Sequence, residues 1–112
     1  MNPFFLTLKI EVSNFKLELK SINISPTKVN SLKKIAHEIL LTELLDFCLS
    51  ELNDSKKKKE FLSLLIVKKE HKNALNFLIN HIENFHIKLK KESLRIDLDL
   101  AQIVKNIKNN SN

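Results

Sequence analysis

The 112-residue chain contains no glycine. Glycine is the usual residue wherever φ turns positive or a backbone must lie against a ligand. Turns here must therefore use Asn, Asp, Ser and Lys, of which asparagine best tolerates a left-handed position. The same absence means that no glycine-built loop can be written: no dinucleotide fingerprint, no P-loop and no nucleophile elbow. The sequence thus argues against nucleotide-dependent enzymology.

With 43% apolar and 29% charged residues, the composition fits one folded domain over 1–112 and neither a disordered nor a membrane-spanning chain. No apolar run approaches the roughly 18 residues that a span needs, and the opening MNPFFLTLKIEVSN lacks the pattern of a signal peptide. A cytoplasmic protein with no membrane partner is expected. Cys48 is the only cysteine, which excludes an internal disulfide, and its neighbours Leu44, Leu45, Phe47 and Leu49 suggest a buried, inert thiol.

Periodicity divides the chain. Phe4, Leu6, Leu8, Ile10 and Val12 alternate with polar residues, and Phe15, Leu17 and Leu19 resume the alternation before Ile22 and Ile24 shift its register near Lys20 and Ser21. Period two predicts strands over 4–12 and 15–24, joined as an antiparallel hairpin with a bulge. Ser25, Thr27 or Asn30 can then cap a helix running to Leu52, with Pro26 admissible in its first turn. Further helices are expected over 55–69 and 71–85, either separate or as one bent helix. Residues 86–98 read both as a second hairpin and as helix, and Asp97 and Asp99, being better caps than helix-interior residues, favour a strand ending near Leu98 and a helix from Asp99 to Lys108. The expectation is an α+β domain: an N-terminal β-hairpin over 1–24, a helical body over 25–85, then a short hairpin or helix and a frayed tail over 86–112.

Catalytic and metal chemistry find little footing. His37, His71, His81 and His86 are 34, 10 and 5 residues apart, so none shares the one-turn spacing of a helical metal pair. Glu70 beside His71 and Glu83 near His86 are the only local carboxylate and imidazole neighbours, and adjacent helical residues do not face each other. No catalytic residue, metal or cofactor is expected.

Two binding roles compete. Leu41, Leu44, Leu45, Cys48, Leu49 and Leu52 spread apolar surface around most of one helix, more than a small chain can enclose, which favours a homo-oligomer or another protein partner at this surface. A free hairpin edge would add to it. The other role is nucleic acid. Residues 1–54 hold six Lys against seven acidic residues, whereas 55–112 hold twelve Lys and one Arg against six, so positive charge collects in the second half. Lys56, Lys57, Lys58, Lys59, Lys68, Lys69, Lys72, Lys88, Lys90, Lys91 and Arg95 are its candidates. With a single arginine, such binding would be led by phosphate contacts and weak in sequence preference. The favoured expectation is a non-catalytic, self-associating protein-interaction module.

EHKNAL and SLRIDLDLAQ resemble H-x-x-A-L and D-L-x-x-A elements in the helical portion of tRNA-modifying GTPases of the TrmE type. The resemblance covers at most the last third of the chain. The glycine motifs of that family's nucleotide-binding domain are not in the sequence, so no activity is carried over.

Overall fold

The structure, a computed structural model, describes Leu8 and residues 10–110. Among these residues there is no strand. The helices are α1 (Ser13–Ser21), α2 (Pro26–Leu52), α3 (Ser55–Leu62), α4 (His71–His81) and α5 (Phe85–Asn110), and α3 runs on into a π-helical turn over Ser63–Val67.

The expected α+β class is corrected to all-α. Most of the second expected strand, 15–24, is α1; of the first, 4–12, residues 4–7 and 9 lie outside the described residues, Leu8 is helical and 10–12 have no regular structure. The reason lies in which apolar residues are buried. Leu8, Val12, Phe15, Leu19 and Ile22 enter the core at spacings of four, three, four and three, which is helical, whereas Leu17, required by period two, is 65% exposed. The hairpin weighed for 86–98 is absent too, since that segment lies inside α5. There Phe85, Leu89, Ile96, Leu100 and Val104 keep one buried face along the helix.

The helix ends show how a glycine-free chain turns. Ser25 caps α2, its hydroxyl accepting from the Lys28 amide, with Pro26 in the first helical position. Asp54 caps α3 by accepting from the Lys56 amide at 2.9 Å. Asn53 and Lys69 take left-handed φ values of 57° and 56° just after α2 and the π turn, and Asn84, at 54°, takes one directly before α5. Lys69 also separates α3 from α4: the Lys68 amide closes the π turn on the Ser63 carbonyl, and the Glu70 amide returns to that of Leu64.

Long helices α2 and α5 run antiparallel, tied by Glu43 to Arg95 at 2.9 Å and by Glu51 to Lys88 at 3.4 Å. The buried residues of α2, Ala36, Leu40, Leu44, Cys48 and Leu52, recur every fourth position. Four residues advance about 400° around a helix, so this row rotates by about 40° per step and presents different faces at the two ends. One end receives α1, the other α3 and α4. The molecule is elongated, 51 × 25 × 20 Å, with a radius of gyration of 15.9 Å against about 13 Å for a compact domain near this size.

Candidate interaction surfaces

The residues expected at a partner interface divide in two. Leu44, Cys48 and Leu52 belong to the core, packed with Phe61, Leu65, Ala74 and Leu78 from the other helices; Leu41, Leu45 and Leu49 are half-buried against the same cluster. Cys48 has no exposed surface, and burial pushes its thiol up to about 12. The wide apolar circumference inferred for this half of α2 thus meets α3 and α4 of the same chain along much of its extent.

The basic candidates are spread over α3, the turn before α4, the start of α4 and the first half of α5. Lys56 and Lys59 are exposed and Lys57 and Lys58 half-buried around the first turns of α3; Lys68, Lys69 and Lys72 are exposed near the start of α4. Lys88 faces Glu51, while Lys90 and Lys91 are exposed about 100° apart on α5. Arg95 is engaged three ways: Nη1 donates to Asp99 at 2.9 Å, Nη2 to Glu43 at 2.9 Å and to Glu92, and Nε to Glu92 at 3.0 Å. Hydrogen bonds to Glu92 and then Glu43 raise its already high pKa further. It is the chain's one arginine, and its donors are directed at carboxylates of this chain.

Two surfaces that sequence reading passed over emerge from the packing. On the outer side of α2, Lys28, Leu32, Ile35, Ile39, Thr42 and Asp46 follow at spacings of four, three, four, three and four. That is the repeat of a coiled-coil seam. Ile35 is 51% exposed, and Leu32 and Ile39 are half-buried. A shallow cavity of about 300 Å³ lies here, lined by Ile35, Glu38, Ile39, Thr42 and Glu43. The spacing was legible in the sequence, but the stronger i+4 row of leucines on the same helix masks it.

The second surface is a cleft between α1 and α2. The backbone of α1 closely approaches α5 over most of its length and α2 hardly at all. Val12, Phe15 and Leu19 form one wall and Ala36 and Leu40 the other, with Lys16, Lys33 and His37 at the mouth. An adjoining hollow extends it past Lys20 and Ile22 to Val29.

A third constellation is structural. Buried Asp97, in the middle of α5, accepts from the Asn14 amide at 3.1 Å, the Asn14 side chain at 2.9 Å and the Phe15 amide at 2.8 Å. It caps α1, whose own N-terminus has no local side-chain cap. Among the described residues, no three His, Cys, Asp or Glu side chains converge to hold a metal, and no helix is long and apolar enough to cross a membrane. No family model matches the sequence, and neither a curated protein nor a solved structure is similar enough to lend it a function.

Proposed function

We propose that this chain is a non-catalytic helical interaction module that pairs with a copy of itself through the outer face of α2. The observation that carries the reading is the row Lys28, Leu32, Ile35, Ile39, Thr42, Asp46. It is complementary to itself when reversed. Laid antiparallel about a two-fold axis near His37, it sets Ile35 against Ile39, Leu32 against Thr42 and Lys28 against Asp46 of the other copy. That is the isologous pattern of a symmetric dimer. The Thr42 hydroxyl already donates to the Glu38 carbonyl at 2.9 Å, so its burial would leave no orphan donor. The cavity beside Ile35 adds room for the partner's side chains.

Sedimentation of the purified protein tests this. A dimer is expected, and Ile35→Glu should yield a helical monomer, because Ile35 is half in solvent in the single chain and the change buries a charge only in the pair. Lys28→Glu should weaken pairing and Lys28→Glu with Asp46→Lys should restore it. A wild type that stays monomeric at millimolar concentration rejects the reading. So does a dimer indifferent to Ile35→Glu and dispersed only by Leu45→Asp or Leu49→Asp.

A further inference from the structure

The cleft between α1 and α2 lies on a different face of α2 from the proposed pairing row, about 120° around the helix, and its chemistry differs. Its floor is apolar from Val12 and Leu40 at one end to Ile22 and Val29 at the other. Its two hollows, about 260 and 390 Å³, share Lys16, Leu19 and Lys33, so they form one trough. Lysines line the mouth on both banks. Lys16 and Lys20 stand one turn apart on α1 and Lys33 faces them from α2, with His37 one turn beyond it, and no Asp or Glu lines either hollow among the described residues.

We infer that this trough docks an amphipathic helix from a partner protein whose apolar stripe carries Asp or Glu on both flanks. Three features match that occupant. The floor residues of α1 recur at spacings of three and four, so the gaps between them accept side chains with the same spacing on a crossing helix. Lys16 and Lys20, one turn apart on α1, match carboxylates at i and i+4 on one side of that helix's apolar stripe, and Lys33 with the imidazole of His37 can accept carboxylates on the other. The trough runs open along its length and is not a closed tunnel, which suits a rod better than a single acyl chain. A nucleic acid would meet the lysines but leave the apolar floor without a partner, and Phe15, the one aromatic residue lining it among the described residues, is buried and offers no stacking face. This inference goes beyond the self-pairing and does not depend on it: a dimer joined along Ile35 and Ile39 would keep both troughs open.

The test uses the full chain and three synthetic 18-residue helical peptides: a leucine-striped one with glutamate on both flanks, the same with lysine flanks, and a composition-matched scramble of the first. Affinity is read by fluorescence anisotropy and the contact surface by amide chemical shifts. The glutamate-flanked peptide should bind, shift amides of α1 and the first half of α2, and lose affinity as salt rises. The lysine-flanked and scrambled peptides should not bind. Lys16→Glu with Lys33→Glu should lower affinity about tenfold or more while leaving the thermal midpoint in place, since both side chains are exposed. Equal binding of the scramble, shifts confined to other surfaces, or affinity unchanged by the double variant would overturn the inference. So would displacement of the peptide by decanoate or duplex DNA at comparable concentration. Self-association lost in the Lys16→Glu, Lys33→Glu variant would assign the trough to a second copy and overturn it as well.

Discussion

Asp97 shows how far a single residue's chemistry can be read from sequence. An aspartate in the middle of an apolar periodic segment argues for a cap, and Asp97 does cap a helix; the helix is α1, 82 to 83 residues away in sequence, and Asp97 itself sits inside α5. Local reasoning recovers the chemistry but has no access to a partner brought in by folding. Asp97→Ala would leave the Asn14 and Phe15 amides without their acceptor at the positive end of α1, and a stranded buried donor costs about 1–3 kcal/mol. Chemical denaturation should show a loss of about 2–4 kcal/mol, with Asp97→Asn, which keeps one acceptor oxygen, losing less. Cys48 supports a prediction about pH. Its thiol is raised from 9.0 to about 12 by burial, so above pH 9 the unfolded chain releases a proton that the folded chain holds. The contribution is therefore fully present below pH 9 and declines as pH rises from 9 toward 12, by about 1.4 kcal/mol per unit. Stability measured from pH 8 to 11 should fall more steeply in the wild type than in Cys48→Ala. The native thiol should also resist alkylation until the protein unfolds.

At the scale of elements, the misreading of 4–24 has a physical source. Leu8, Val12, Phe15, Leu19 and Ile22 follow helical spacing, but Ile10, Leu17 and Ile24 fill intermediate positions and complete an alternation. Apolar count alone cannot separate the two periods; burial does, leaving Leu17 outside. Helices α2 and α3 were legible because their caps and periods agree, and α4 by its period alone. The left-handed positions at Asn53, after α2, and Asn84, before α5, follow the expectation that asparagine would replace glycine, whereas Lys69 carries the full steric cost of that conformation, about 1–2 kcal/mol for a residue with a long side chain. Lys69→Gly should raise stability by about 1 kcal/mol after allowing for the greater freedom of glycine in the unfolded chain. Lys69→Val should lower it. Thermal or urea denaturation of the two variants decides the point, and a destabilising Lys69→Gly would contradict the account of this turn.

Across the whole molecule, the rotating row of α2 creates two ends of unequal packing. At one end, Cys48, Phe61, Ala74 and Leu78 are wholly enclosed by four helices. At the other, α1 rests on α5 through its apolar row and the Asp97 cap, while its opposite side borders the trough. The trough could not be read along the sequence, because it exists only once the relative rotation of α1 and α2 is fixed; the spacing of the seam on α2 is in the sequence, but which of that helix's faces stays open is decided by the packing. The asymmetry makes a prediction about opening. Regions with fewer enclosed apolar contacts open at lower free energy than the global transition. Native-state hydrogen exchange should therefore show the amides of α1 opening together in a unit below the global free energy, with the second half of α2 exchanging only through complete unfolding. Asp97→Ala should lower the α1 opening energy by more than it lowers that of Leu44 to Leu52, because the lost cap belongs to α1. An acidic helical peptide seated in the trough would contact α1 and α2 at once, so it should raise the α1 opening energy with peptide concentration, by RT ln(1 + [L]/Kd) where the open form does not bind. If α1 exchanges at the same free energy as the second half of α2 in both wild type and Asp97→Ala, the two ends form a single cooperative unit and α1 is no separable element.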